Sequence, residues 1–488
     1  MNANTLLAEP LWDAASLGKA LPESPHAVSV SLPRWRDVVA YEEKDPAVTA
    51  KMALGYPRFV IHPLVRELAD QLGGGQPCLP FPSAAAAETA AAHVRRAAGA
   101  PVGVVPGRGV FGVVTSPAGT QALKDFWQHT GLIVSSRQAE AALAGRGDVP
   151  DAAAIRASLR RQLAAFYHCE PDDVFLAPTG MAAQFAALRA CQARRPGLRT
   201  AQFGFPYVDT LKLQQKLGAG AHLLHDLDHI GTSLQAILAG EQLAAAFGEI
   251  PGNPLLGSAD VRRIAPLLRR HGIPLVADDV VASPVNVDLG RYADLTATSL
   301  TKYVAGTCDV MGGALICNPR SPFHAELKAI IQSRHEELLW GGDALALDER
   351  ARTFPHRMHR HNANGLFIAE KLRAHPRVER VWYPKWEFSG AYEAVRRPQG
   401  GWGSLVTFLP RNAAVTAPRV FDALRVCKGP SLGTVFTLAC PFVLLAHYTE
   451  LEWAEACGVP RNLIRLSVGL EEPEELWTRI DAALMAGA

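Results

Sequence analysis

The chain has 488 residues, 48% of them hydrophobic and 20% charged, enough for two or three domains of ordinary globular composition. Forty-nine basic residues stand against 47 acidic ones, so no basic footprint marks nucleic acid or an anionic membrane as partner, and a small molecule is the expected ligand. Eight cysteines without a C-x-x-C pair exclude a disulfide framework and a zinc ribbon; with Glu9 and Asp13 near the start and no apolar run of membrane-spanning length, they predict a cytoplasmic protein.

Residues 1–75 are rich in proline and poor in long periodic stretches, and PHAVSVSLPRW reads as an extended segment and a turn, so this part is expected to form an arm. Residues 76–150 carry SAAAAETAAAHVRRAA, QALKDFWQHTG and SRQAEAALAG, whose alanine content and 3.6-residue period predict a helical insertion. From 151 to 335 helical and strand patterns alternate: IRASLRRQLAAFY, VFLAP, GMAAQFAALRACQ, TAQFG, VDTLKLQQKLG, AAAFGEI, ADVRRIAPLLRRHG, PLVADDV. Such alternation requires crossover connections and predicts an α/β domain with a mostly parallel central sheet. Residues 336–488, with NANGLFIAEKLRAHP, RVERVWYP, GSLVTFLP, APRVFDALRV, NLIRLSVGL and EELWTRIDAAL, predict an α+β terminal domain.

In a parallel α/β sheet ligands bind where strands end and helices begin, because loop amides and helix N-termini converge there. Four stretches fall at such ends. In APTGMAAQ, residues 177–184, Gly180 joins strand to helix, so the Gly180 and Met181 amides are placed for an anion. PLVADDV puts Asp278 at the close of a buried strand, where a carboxylate is costly without a partner charge. GEIPGNPL places Asn253 in the turn after another strand. TATSLTKYVAG ends a strand on Ser299, Thr301 and Lys302, a lysine that follows a β-branched run and precedes residues too small to shield it from water.

Pyridoxal phosphate meets these demands together. The lysine forms the imine, the carboxylate keeps the ring nitrogen protonated so that the ring accepts electrons, and hydroxyls with amides hold the phosphate. Each stretch alone has a plainer reading: a strand-end hydroxyl pair, a structural ion pair, a helix cap. Their order along the alternating pattern favours the cofactor. His356, His359 and His361 of RTFPHRMHRHNAN lack the spacing of a helical zinc pair and are read as part of a helix start, so no metal is expected.

With these residues in view, the chain resembles the cystathionine γ-synthase group of pyridoxal-phosphate enzymes, the Cys/Met metabolism family of fold type I. The lysine motif, like SATKYxxGHSDVxxGA in that family, stands here as SLTKYVAGTCDVMGGA; ETPANP stands as GEIPGNP, VVDNTFATP as VADDVVASP, and NLIRLSVGLEEPEEL matches near the C-terminus. PHAVSVSLPRW, GYPRFVIHPLV, FWQHTG and FGFPYVDTLK resemble the long fungal-type branch, with its insertion between arm and cofactor domain.

The resemblance implies roles for particular residues. Lys302 would be the Schiff-base lysine and proton shuttle, Asp278 the pyridinium partner, and Asn253 the partner of the ring hydroxyl. Gly180, Met181, Ser299 and Thr301 would hold the phosphate, and Tyr56 and Arg58 of GYPRF would reach it from a neighbouring subunit, which implies at least a dimer or a dimer of dimers. Arg465, assisted by Ser431, would clamp the substrate carboxylate. Where the family has Y-G-G-T-Y this chain has Phe203 to Tyr207, so Phe203 would stack on the ring and Tyr207, another hydroxyl or Lys302 alone would carry the proton. Asp279 and GTCD replace asparagine and GHSD. The implied activity is γ-replacement on an O-acylated homoserine-type amino acid through a vinylglycine-type intermediate, with cysteine or a related nucleophile. A β/γ-lyase, a carbon nucleophile and a non-catalytic cofactor-binding relative stay open beside it.

Overall fold

The structure, a computed structural model, describes residues 3–487. The chain begins as an irregular arm that carries helix α1 (Trp35–Glu42) and one short antiparallel pairing of Ala20–Leu21 with Ser29–Val30, the second of which lies in the extended PHAVSVSLPRW stretch.

The next unit begins earlier than residue 76 and is not purely helical. Helix α2 (Pro63–Gly73) packs Val65 and Leu68 into one core with Phe81, Val94 and Trp127. Strands β1 (Cys78–Phe81), β2 (Val102–Gly107) and β3 (Val110–Thr115) form an antiparallel sheet in the order β1-β3-β2, flanked by α3 (Ala84–Ala98), α4 (Thr120–Thr130) and α5 (Ser136–Leu143). The valines on either side of the Gly107–Gly109 turn favour strands, and Arg108 and Gly109 both take the left-handed backbone that a tight hairpin needs. The alanine run of α3 is helix, opened by Ser83, whose Oγ accepts from the Ala86 amide at 3.1 Å.

The central unit follows as α6 (Ala152–Tyr167), β4 (Val174–Ala177), α7 (Gly180–Arg194), β5 (Thr200–Phe203), α8 (Val208–Leu217), β6 (Ala221–Leu224), β7 (Ala246–Glu249), α9 (Val261–Arg270), β8 (Leu275–Asp278), β9 (Leu295–Ser299) and β10 (Gly313–Cys317). Its seven strands lie in the order β4-β10-β9-β8-β7-β5-β6, parallel throughout except that β10 runs against both β4 and β9. The strands are short apolar runs because helices cover both faces: Phe185 and Leu188 of α7 pack on Phe247 and Leu315, and Leu159 and Leu163 of α6 on Leu176 and Ile316. All four parallel strand ends that carry the predicted residues open on one edge of this sheet.

The C-terminal unit opens with α10 (Phe354–Ala374), which holds the three histidines; the buried His361 donates from Nδ1 to the Val468 carbonyl at 2.9 Å. Strands β11 (Val378–Trp382), β12 (Leu405–Pro410), β13 (Cys427–Lys428), β14 (Leu438–Cys440) and β15 (Ile464–Ser467) form a sheet in the order β11-β12-β15-β14-β13, and helix α11 (Phe442–Ala446) follows β14. Among the described residues no helix is long and apolar enough to cross a membrane.

Lys428 ties the arm to this sheet. It is fully buried, and its Nζ donates to the carbonyls of Pro33 (2.9 Å), Asp422 (3.0 Å) and Trp12 (3.4 Å). Burial lowers its pKa to about 7. Each carbonyl left unpaired in such a place costs about 1–3 kcal/mol. Lys428→Met is therefore expected to lower the thermal midpoint and open the first thirty-odd residues to limited proteolysis; a variant with unchanged midpoint and cleavage pattern contradicts this role.

Candidate active site

The sheet edge receives its anion-binding character from the start of α7. Thr179 caps the helix, its Oγ1 accepting from the Ala182 amide at 3.1 Å, so the amides of Gly180 and Met181 stand at the positive end of a 15-residue helix ahead of any intrahelical acceptor. A Cβ on Gly180 would lie 2.7 Å from the Ser299 Cβ. Glycine is thus what lets the Ser299 hydroxyl, at the end of β9, come up against these amides.

On the strand next to β9, Asp278 closes β8. Its Oδ1 accepts from the Val280 amide (2.8 Å) and its Oδ2 from Gln184 Nε2 (2.9 Å). Directly across the register on β7 is Glu249, whose carboxylate takes the Tyr207 amide and, at 3.2 Å, the Asn253 amide. Burial holds both acids well above the usual carboxylate range. The charge of Asp279 adds to the effect on Asp278, and that of Asp278 to the effect on Glu249. Asp279 faces elsewhere: Tyr167 donates to its Oδ2 at 2.9 Å, and burial raises its carboxyl to about 6.

Lys302 follows β9 by one turn. Its Nζ donates to Ser431 Oγ at 3.0 Å and stands 4.6 Å from the centre of the Tyr56 ring. Ser431 adopts φ 101°, a conformation costly for a side-chain-bearing residue. It presents its hydroxyl to Lys302 and its carbonyl to Arg465, which donates from Nη2 at 2.6 Å. Arg465 is buried; its Nη1 donates to Asn253 Oδ1 at 3.1 Å, its guanidinium carbon lies 4.8 Å from the Phe442 ring, and its Nε has no partner among the described residues.

These groups line one cavity of 390 Å³. Lys302, Asp278, Asn253, Gly180, Met181 and Ser299 all reach its wall, as do Tyr207, Ser431 and Arg465. Pyridoxal phosphate suits this donor set. The helix-start amides and the Ser299 hydroxyl offer a phosphate cradle that a larger residue at 180 would fill, the unneutralised Asp278 awaits a cationic N–H, and the lysine amine is within the same wall.

The remaining expected site residues are Tyr56, Arg58, Thr301 and Phe203. The arm of this same chain brings Tyr56 and Arg58 to the wall of the cavity, where Arg58 is buried against Asp209. Thr301 does not face the cavity; its hydroxyl is engaged with the Gly312 amide (3.2 Å) and carbonyl (3.3 Å), because the strand ends at Ser299 and the turn that follows breaks the alternation. Phe203 is packed in the core under the sheet beside Gly248 and does not stack in the cavity; Tyr207 lines it instead.

The structure adds residues that the sequence left unmarked. Gln184 stands one helical turn after Gly180, a spacing that puts both on one face of α7. Glu249 carries the same signal as Asp278, an acid closing an apolar strand. Nothing in the local pattern singles out Asp209.

Comparison with known proteins gives three findings. The profile of the Cys/Met metabolism PLP-dependent enzymes matches residues 152–485. The chain is similar to a cystathionine gamma-synthase of Neurospora crassa, 32% identical over 94% of this chain and 96% of that one, and to an L-2-amino-4-chloropent-4-enoate dechlorinase/desaturase of Streptantibioticus cattleyicolor, 35% identical over 93% and 95%. Among solved structures it resembles cystathionine gamma synthase from Xanthomonas oryzae pv. oryzae in complex with aminoacrylate and cysteine, with a TM-score of 0.61 and 26% identity over 68% of this chain and 86% of that one.

Two outcomes follow from the geometry. Raised carboxyl pKa values mean that the folded chain binds protons the unfolded chain has released, so cofactor-free protein is expected to lose stability as pH rises through neutrality, and Glu249→Gln to flatten that loss. A pH-independent thermal midpoint contradicts the pairing. Second, co-expressed chains carrying Lys302→Ala and Arg58→Ala are expected to hold borohydride-reducible cofactor only at the weakened affinity of Arg58→Ala alone; recovery of a fraction held at the unaltered protein's affinity would mean that sites are shared between chains.

Proposed function

The chain belongs to the Cys/Met metabolism PLP-dependent enzymes, and on that footing we propose that it catalyses γ-replacement on an O-acylated homoserine-type amino acid, with cysteine or a related nucleophile entering at Cγ. Ser431 carries this reading. Its hydroxyl accepts from Lys302 and its carbonyl from Arg465, so a single residue sets a proton-moving amine beside a guanidinium suited to a carboxylate. The unpartnered Nε of Arg465 costs about 1–3 kcal/mol while buried, and a substrate carboxylate recovers it. An amino acid held there has its Cα next to Lys302.

Bound in the cavity, pyridoxal phosphate supplies an electron sink for the charge that develops at Cα. The chain supplies the rest. The Gly180 and Met181 amides, the Ser299 hydroxyl and Arg58 hold the phosphate, with Tyr56 alongside. Asp278, oriented by Gln184, keeps a proton on the ring nitrogen, and Asn253, its Oδ1 taken by Arg465, offers its NH2 to the ring hydroxyl. Lys302 would take the Cα proton, hand it on to the bound cofactor and so regain a free amine for a Cβ proton, whose loss expels the γ-substituent. Tyr207 is pushed well above its ordinary pKa by burial, keeps its proton at neutral pH and serves as an acid rather than a base. Self-association is compatible with this arrangement of the site. Eight free thiols favour the cytoplasm.

Elimination of the γ-substituent without replacement is a second reading. It is favoured by the likeness to the dechlorinase/desaturase, whose named substrate carries its chlorine on the γ-carbon.

Incubation with O-acetyl- or O-succinylhomoserine, with and without cysteine, tests both: a thioether supports replacement, a keto acid with ammonia supports elimination, and neither product overturns the proposal. Arg465→Lys is expected to raise KM for the amino acid roughly 30-fold, the equivalent of about 2 kcal/mol for a lost charged hydrogen bond, and an unchanged KM removes Arg465 from substrate binding.

A further inference from the structure

Arg58 belongs to a loop of the arm without regular structure, yet only 3% of it is exposed. A guanidinium so placed needs its partners built elsewhere. Three of its five N–H groups find them: Nη1 donates to the Asp209 carboxylate and to the Gln128 carbonyl (2.7 Å), and Nη2 to the Tyr207 hydroxyl. The rings of Phe59, Tyr207 and Tyr56 surround it at 5.1, 5.6 and 5.7 Å.

Asp209 is itself held from a third part of the chain. It stands in the first turn of α8, fully buried, and its Oδ1 takes His129 Nδ1 at 3.1 Å and Gln128 Nε2 at 3.1 Å, both from α4 of the inserted unit. Burial alone would push this carboxyl up; the Arg58 charge and the α4 donors bring it down to about 2. The same inserted unit also meets the helix that faces the anion site, since Thr179 Oγ1 donates to the Gly131 carbonyl at 2.9 Å. The profile match starts at residue 152, so the arm and the inserted unit lie outside it.

We propose that Asp209, braced by His129 and Gln128 of the inserted unit, is the positioning residue that keeps Arg58 in the cofactor cavity of its own chain. The inserted unit thereby supplies the anchorage that lets an arm residue complete the site in which it folds. Two of the five Arg58 N–H groups are left for the phosphate. This inference rests on the reading of Arg58 as a phosphate-binding residue.

The test compares pyridoxal 5′-phosphate with pyridoxal, which lacks the phosphate. Full-length protein is stripped of cofactor and retitrated with each, and the ratio of the two Kd values is read. A general loss of structure weakens both ligands alike and leaves the ratio where it was; a misplaced Arg58 weakens only the phosphorylated one. Asp209→Asn and Arg58→Ala are each expected to raise Kd for pyridoxal 5′-phosphate by about tenfold with pyridoxal little changed, and the double variant to lose no more than Arg58→Ala alone. His129→Asn is expected to shift the ratio less, in the same direction, and serves if Asp209→Asn does not fold. An unchanged ratio in Asp209→Asn and His129→Asn beside a shifted one in Arg58→Ala overturns the positioning role. An unchanged ratio in Arg58→Ala overturns the phosphate reading beneath it, and the inference with it.

Discussion

Two carboxylates side by side in one cavity wall, with no cation paired to them among the described residues, are the constraint around which this chain is organised. Asp278 and Glu249 end adjacent parallel strands in direct register, and the donors they have are neutral: the Gln184 amide and the backbone N–H groups of Val280, Tyr207 and Asn253. Charges one strand spacing apart, about 5 Å, repel by about 3 kcal/mol at an effective dielectric of about 20. Such a pair stays ionised only if positive charge enters the cavity. A protonated ring nitrogen supplies it, and the acid that stabilises that nitrogen in turn keeps the ring able to accept electrons.

Around this pair the remaining parts have separate tasks. The start of α7 and Ser299 make an anion cradle; Ser431, in a strained conformation, couples Lys302 to Arg465; Asn253 links Arg465 back to Glu249 through its own amide. The chain of contacts from the carboxylate pair to the substrate-facing arginine is continuous, and it passes through the central sheet and the C-terminal sheet alike. The arm adds Tyr56 and Arg58 to the same cavity, and Gln128 of the inserted unit accepts from Arg58 there.

Much of this was legible in the residues themselves, and the limits of legibility have physical causes. Lys302, Asp278, Gly180 and Ser299 announce themselves because each closes an apolar strand or opens a helix, and strand ends are where a parallel sheet meets solvent, whereas Arg465 comes only with the family motif. Thr301 follows Ser299 by two residues and shares its hydroxyl, yet alternation holds only while the strand lasts. Motif position points to Phe203, whereas its place on β5 beside Gly248 turns its ring into the core. The motif GYPRF gives the identity of Arg58 and is silent about which copy of the chain it serves; that depends on Asp209 and His129, residues distant in sequence whose meaning exists only in the fold. The β1-β3-β2 sheet was obscured because an alanine-rich helix dominates the composition around it.

The central claim is that Lys302 is the amine that carries the cofactor. Reduction of the purified protein with borohydride, digestion and peptide mapping by mass spectrometry decides it. A pyridoxyl adduct on Lys302 is the predicted result. An adduct on another lysine, such as Lys428, which is buried with its pKa lowered, or no adduct at all, would contradict the account.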